Sequence, residues 1–302
     1  LVPHVRAIHI NHQLSEMADD WEHHCIVTAH AFGVPCDIEK VDIINAGRGV
    51  EHAAREARYS AFEKTLAKGD IILFAHHCAD LAETVLFRLM RGAGLKGLAG
   101  MQAKRRLGQG ELFRPLLNES RLDLLDYAQT HLLHWVEDDS NQNTDFDRNF
   151  LRHHIFPKLQ ERWPDAKQKI ARSSQWLDEA DGLLSEYAEE DLSACSREKA
   201  RFGERIALEI FSQYSKQRQK NIVRFWCDQL GHTLPDAAQL EQIDTVLLAK
   251  EDAQPCLAWG RCELRRYQNH LYLVSAVSNT LTQETIQCRP NESITLPDGS
   301  NL

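Results

Sequence analysis

Two carboxylates three residues apart, Asp80 and Glu83, follow an apolar run and two histidines in Ala75-His-His-Cys-Ala-Asp-Leu-Ala-Glu-Thr84. Residues at that spacing share one helix face, so both acids can act on one ligand. The run Ile71–Ala75 reads as a strand, and ligands of open α/β sheets bind at the carboxyl ends of strands. That puts His76, His77 and Asp80 at the lip, with Asp80 in a first helical turn that favours an acid. A carboxylate there can hold Mg²⁺, and a second can accept a proton or bind an ammonium. Such a pair alone reads as ordinary N-terminal helix acids. The Gly-rich Arg91-Gly-Ala-Gly-Leu-Lys-Gly-Leu-Ala-Gly-Met101 shifts the balance, because small residues beside Arg91 and Lys96 suit close backbone approach to a ligand. Downstream, Trp135-Val-Glu-Asp-Asp-Ser-Asn141 has turn chemistry, and Asp147-Arg-Asn-Phe-Leu-Arg152 sets Arg148 and Arg152 on one helix face. Two guanidiniums so placed suit phosphate, or form a solvated basic stripe.

The surrounding pattern supplies the elements. Val5–Ile10, Cys36–Val41, Ile71–Ala75 and Leu112–Leu117 read as strands or extended segments. Ser15–Phe32, Val50–Ala67, Ala79–Met90 and Arg121–His131 read as helices, and Gly33-Val34-Pro35 is a stop signal. Alternation of apolar strands with helices implies a doubly wound parallel α/β sheet covered on both faces. From Asn149 to about Leu230 the composition is almost entirely helical. After Pro255, Cys256–Trp259, Cys262–Tyr267 and His270–Ser275 read as short antiparallel strands. The expected domains are 1–172, α/β; 173–276, helical with a small sheet; and 277–302, a linker or the start of a further domain.

Composition narrows the classes. With 302 residues, 43% hydrophobic and 26% charged, the chain is ordinary globular protein of about two domains. No run approaches the roughly 18 apolar residues of a membrane helix, and no signal peptide is present, so no membrane partner is expected. The eight cysteines form no Cys-x-x-Cys, which sets zinc and iron–sulfur sites low and reads as reduced and cytoplasmic. The adjacent histidine pairs His23–His24, His76–His77 and His153–His154 diverge and show no ligand spacing. A net charge of −9 argues against nucleic acid, yet Lys104–Arg106, Arg148–Lys158 and Lys216–Arg224 are local basic patches that leave an RNA partner open.

Taken in order, Ala7-Ile-His-Ile-Asn-His12, Gly49-Val-Glu-His-Ala-Ala-Arg-Glu-Ala-Arg-Tyr59, Ala75–Thr84, Arg91–Met101, Arg114-Pro-Leu-Leu117 and Trp135–Arg152 resemble the tRNA(Ile)-lysidine synthetase family of PP-loop ATP pyrophosphatases. The resemblance covers about residues 1–172, and the later region is similar to the family's following domain. It implies a C–N bond-forming ligase. ATP adenylates the C2 oxygen of the wobble cytidine in the isoleucine tRNA with a CAU anticodon, and free L-lysine displaces AMP. On matching positions it implies Asp80 and Glu83 as catalytic, with Asp80 on Mg²⁺. It places His12, His76, Arg91, Gly92, Gly94 and Gly97 at the nucleotide, and Arg55 and Arg58 in support of lysine or phosphate. Arg114, Arg148, Asn149 and Arg152 would meet the tRNA. The family often has Asp-Asp-Gln where Ala79-Asp80-Leu81 stands here, so Asp80 alone remains of that acid pair. A Ser-Gly-Gly-x-Asp-Ser phosphate loop on a strand ahead of Val5 is also implied, and the numbering is expected to cover an interior or ordered portion of a longer enzyme. A cytidine thiolase of the PP-loop group and a non-catalytic tRNA-binding fragment are the alternatives. The absence of Cys-x-x-Cys argues against the thiolase. Oligomeric state, including a homodimer, stays open.

Overall fold

In the computed structural model, which describes residues 5–43, 50–201, 203–250 and 253–275, the first β-branched run forms β1 (Ala7–Asn11). A parallel neighbour needs a crossover. Helix α1 (Ala18–Ala31) provides it, ends at left-handed Gly33, and returns the chain as β2 (Cys36–Lys40), with Ala7 opposite Cys36. Helix α2 (Val50–Thr65) leads to β3 (Ile71–Leu73), and α3 (Cys78–Met90) follows. After the short α4 (Leu95–Leu98), β4 (Lys104–Leu107) and β5 (Gly110–Phe113) form a hairpin. The three-stranded sheet has the order β3-β5-β4, with β3 and β5 parallel and β4 antiparallel at its edge.

Strand β4 was not expected, because Lys104-Arg105-Arg106 carries almost no apolar signal. Charged side chains suit an edge that must not pair further. The extended segment expected at Leu112–Leu117 starts earlier, at Gly110, and ends at Phe113. Phe62 of α2, Leu107 and Leu112 form the core under this sheet, with Tyr59, Ile72 and Phe74 packed against them.

The chain continues through α5 (Arg121–Thr130), capped by the Ser120 hydroxyl, and a 3₁₀ turn at Asp139–Gln142. Helix α6 (Asp147–Phe150) runs into a π turn (Leu151–Ile155), then α7 (Phe156–Arg162) and α8 (Ala166–Ala194). Pro157 lacks an amide proton and crowds the carbonyl four residues back, which accounts for a widened turn there. One side of α3 packs Cys78, Leu81 and Val85 against Leu117 and Ala171. Ala82 meets Leu151 and Phe156 on another side. Helix α3 is therefore buried around most of its first two turns, Glu83 fully and Asp80 in part.

Two compact units result, Leu1–Gly182 and Leu183–Leu302. The division falls inside α8, the helix that also contains the boundary expected after residue 172. The second unit is a five-stranded antiparallel sheet in the order β6-β7-β10-β9-β8. Its strands are β6 (Glu198–Ala200), β7 (Gly203–Ala207), β8 (Cys256–Trp259), β9 (Cys262–Tyr267) and β10 (His270–Ser275). Helices α9 (Leu208–Phe211), α10 (Lys216–Gln229), α11 (Ala237–Glu241) and α12 (Ile243–Leu247) complete it around Trp226, Phe211, Ile206 and Leu271. Strands β8–β10 lie where alternation predicts them. The β6–β7 hairpin corrects the all-helical reading of 149–230. Its facing residues are mostly charged, Glu198 paired with Arg205 and Lys199 opposite Glu204, with Arg197 just ahead of β6 also paired to Glu204, so it leaves little hydrophobic trace. The expected segment 277–302 lies outside the described residues, as does Gly49.

Gly100 shows why the loop after α3 is glycine-rich. It sits at φ +72°, and a Cβ there would lie 2.6 Å from Leu81 Cδ1 and 3.0 Å from Val85 Cγ2. Gly100→Ala should therefore lower stability by about 1–3 kcal/mol, through backbone strain and overpacking. Gly94→Ala, which meets open space, should change it little. Urea unfolding midpoints of the two variants check this.

Candidate active site at the rim of the sheet

Strand β3 ends at Leu73, and the chain turns into α3 through His76 and His77. The His77 ring Nδ1 accepts the Ala79 amide at 3.2 Å, and Asp80 Oδ2 accepts the His77 amide at 3.0 Å. This reciprocal capping box satisfies two N-terminal amides that the helix cannot. It also fixes Asp80 at the rim. Glu83 lies one turn on and is 1% exposed.

Burying a carboxylate demands compensating charge. Arg152 answers Glu83 with a two-pronged fork, Nε to Oε1 and Nη2 to Oε2, both at 2.8 Å. Arg148 bridges the two acids, with Nε 3.0 Å from Glu83 Oε2 and Nη2 2.7 Å from Asp80 Oδ1. Hydrogen bonding to Glu83 raises the Arg152 guanidinium above its ordinary value, against the effect of burial. Both arginines come from the α6–π-turn segment, and the π turn contains Arg152. Asn149 donates to the carbonyls of Ser140 and Asn143 at 3.0 and 2.8 Å, which ties the acidic turn to the same segment.

Histidine 76 lies beside this network. Burial pushes its pKa down to about 4; Asp80 opposes the shift, while Arg114, Arg148 and Arg58 add to it. The imidazole is neutral near pH 7. His12, just past β1, is lowered by burial and by Arg58 and His9, and its buried Nδ1 has no partner among the described residues. A cleft of about 730 Å³ separates Val5–Ile8 from Asp70–His76, with Arg58 and Phe62 in its wall. No pairing joins β1 to β3 across it, and Ile71 and Leu73 are 53% and 64% exposed.

The structure thus brings together Asp80, Glu83, Arg148 and Arg152, with His76 beside them. Three expectations differ in placement. Arg148 and Arg152 face the two acids rather than an open phosphate surface. Arg114 is an interior brace, 4% exposed, donating to the Gln102 carbonyl at 2.6 Å and to His76 Nδ1 at 3.3 Å. Arg91 lies just past the far end of α3, about 16 Å along the helix from Asp80 at 1.5 Å per residue, and Gly92, Gly94 and Gly97 follow it on the turn back toward Arg88. There Arg91 covers the Phe87 ring, and the carbonyls of Gly97 and Gly100 accept from Arg88. Arg55 stands over the Tyr59 ring at 4.8 Å.

The donor set at Asp80 does not fit Mg²⁺ in this arrangement. One oxygen accepts the His77 amide and the other the Arg148 guanidinium. Among the described residues no group of three or more His, Cys, Asp and Glu side chains converges as metal ligands.

Sequence reasoning missed two contributors. His77 as a cap was detectable, since its spacing to Asp80 is that of a capping box. Lys167, on α8, is charge-coupled to Glu83 and Arg152 and has its pKa lowered by burial. Nothing near it in the sequence signals that role.

A family model described as a PP-loop domain matches residues 2–159, and a TilS substrate binding domain matches residues 207–272. The chain is 42% identical to a tRNA(Ile)-lysidine synthase of Coxiella burnetii over 97% of its own length and 65% of that protein. It is 41% identical to one of Pseudomonas aeruginosa over 100% of its own length and 69% of that protein. The chain thus spans about two thirds of the length of these relatives. A solved U34-tRNA thiolase of Methanococcus maripaludis aligns at TM-score 0.46 and 16% identity, over 57% of this chain and 60% of that one, too distant to add to this.

Removing Arg152 strands a buried carboxylate. Arg152→Ala should lower unfolding free energy by about 3–5 kcal/mol, and Arg152→Lys should recover only part, because an ammonium cannot form the fork. Denaturant titration reads both. Acid sensitivity has a definite sign. The unfolded His76 takes up a proton near 6.5, while the native one refuses it until about 4, so stability falls as pH falls through that window. His76→Asn should flatten part of this fall, measured as the difference in urea midpoint between neutral pH and about pH 4.5.

Proposed function

Because this chain belongs to the PP-loop family and, within it, to the tRNA(Ile)-lysidine synthases, we propose that its protein joins lysine to C2 of the wobble cytidine in the CAU-anticodon isoleucine tRNA. ATP adenylates the C2 oxygen and pyrophosphate leaves. The lysine amine attacks C2, and AMP departs with that oxygen. The pair of half-buried Asp80 and buried Glu83 at the sheet rim, held by two arginines, is the observation that carries this reading.

Lysine's ammonium has the charge of a guanidinium, so it can take the place of Arg148 at Asp80. Arg148 is the more exposed of the two arginines, 33% against 23%, and spans two acids rather than forking onto one. Asp80 then holds the ammonium and is the nearest acceptor for the proton the amine must shed before it attacks. Glu83, still forked to Arg152, keeps a fixed second acceptor beside it. Arg148, once displaced, becomes available to the phosphate of the adenylated base.

His12, with its unpartnered ring nitrogen, neutral His76 and Arg58 line the nucleotide side. The exposed Ile71 and Leu73 beside the cleft between β1 and β3 support the pairing of a strand bearing a phosphate loop there. Mg²⁺ would be held by the ATP phosphates rather than by Asp80. Acting on tRNA, the protein works in the cytoplasm; among the described residues no helix is long and apolar enough to cross a membrane.

The test follows radiolabelled lysine and released pyrophosphate with the full-length protein, ATP and the CAU-anticodon tRNA. Lysine should enter the tRNA only when ATP is present. Asp80→Asn should cut transfer by at least about a hundredfold with the unfolding midpoint retained. Wild-type transfer in that variant removes Asp80 from the mechanism. Tight tRNA binding without pyrophosphate release leaves a binding module.

A further inference from the structure

Beside the carboxylate network, a second cluster collects positive charge with no carboxylate paired to it among the described residues. The Tyr59 ring of α2 lies between two guanidiniums, Arg55 at 4.8 Å and Arg105 at 5.1 Å from its centroid. Arg55 also donates toward the Tyr59 hydroxyl at 3.4 Å. Arg114 stands against the same phenol and over the Phe74 ring at 5.8 Å. Three elements converge here: α2, the edge strand β4 and the carboxyl end of β5. Burial alone would raise the Tyr59 phenol, yet the surrounding arginines hold it below its ordinary value.

Among the described residues, none of these three arginines forms an ion pair with a carboxylate. The acid of the hairpin, Glu111, pairs instead with Lys104 at 2.8 Å. Guanidiniums gathered around one ring repel one another, and cation–π contact offsets only part of that, about 0.5–2 kcal/mol each. An anion would offset the rest. Arg105 spends one donor on the Arg106 carbonyl at 3.1 Å, and guanidiniums, planar and with several donors each, suit phosphate oxygens in particular. Arg55 is exposed and Arg105 half-buried, so both can reach a ligand, while buried Arg114 backs them with fixed charge. Through Arg114 Nε and His76 Nδ1 at 3.3 Å, the cluster adjoins the acids at the rim.

We propose that Arg55, Arg105 and Arg114, gathered on Tyr59, form a phosphate-binding site at the sheet rim, with Arg105 of the edge strand as its specific contributor. The site takes a phosphate group either from the RNA backbone beside the reacting base or from the nucleotide. It deepens the lysine-transfer reading and rests on it only for which RNA is bound.

The test measures equilibrium binding of two probes to the full-length protein, inorganic pyrophosphate and a short single-stranded RNA containing CAU. Arg105→Gln should weaken at least one probe by about tenfold. If the RNA is affected, its slope of log affinity against log salt should fall by about one. Arg55→Gln, on a different element, should act in the same direction, and Tyr59→Phe should weaken binding less than either. Loss confined to RNA identifies a backbone phosphate, loss confined to pyrophosphate identifies the nucleotide, and loss of both identifies a shared site. Wild-type affinity for both probes in Arg105→Gln and Arg55→Gln, with unchanged unfolding midpoints, overturns the proposal. Failure of the wild-type protein to transfer lysine, with probe affinities still falling in these variants, sinks the proposed reaction and leaves this site standing.

Discussion

A carboxylate as buried as Glu83 must be met by opposite charge, and that demand organises the first unit. Two guanidiniums meet it, and both come from one short helical segment with a π turn. The segment is thereby fastened to α3, with Leu151 and Phe156 packed on Ala82 alongside. Removing an arginine leaves the buried Glu83 carboxylate short of compensation, which makes the network conditional on its cations. The acidic turn hangs from the same segment by Asn149. Electrostatics here fixes geometry first, and reactivity follows from the geometry.

Charge at the rim bears little relation to charge on the whole chain. The total of −9 misleads because the acids are dispersed while the arginines converge. Arg55, Arg58, Arg105, Arg114, Arg148 and Arg152 all lie in or beside the rim, and the two acids among them are already matched. His76, inside this positive field and partly desolvated, stays neutral and offers a ring nitrogen to Arg114 without adding charge. A site so biased attracts anions at close range even on an acidic protein, because fixed local charge outweighs a distant, salt-screened total.

How far the sequence could be read depended on whether apolar pattern and structure coincide. The β3–α3 junction was legible because an apolar run, a capping spacing and two acids fall together, and strands β8–β10 because alternation persists there. Strand β4 and the β6–β7 hairpin are held by charged rungs and edges, which hydrophobic periodicity does not register. Arg148 and Arg152 were correctly placed on one face, but which partner that face meets is a tertiary fact 65 or more residues away in the chain. The glycine loop was read as a ligand cradle, whereas Gly100 is small because α3 lies against it. Tyr59 was visible as part of a motif. Its neighbours Arg105 and Arg114 come from other strands, so only the fold could show them meeting.

In the proposed reaction the two clusters would divide the handling of opposite charges at one rim. An ammonium can enter only where carboxylates are present, and a phosphate only where they are absent or already neutralised. Placing the acids on α3, and on α2, β4 and β5 arginines that meet no carboxylate among the described residues, would separate these demands. His76 and Arg114 form the partition between them. Arg148 is the group able to cross it, because it is bound to acids yet partly exposed and tethered by a helix. Exchange of one cation for another at Asp80 leaves the buried charge balanced throughout, so the acids need never be stripped of compensation while the ligand arrives. That condition, rather than high affinity for either ligand alone, is what the arrangement of the four-group network provides.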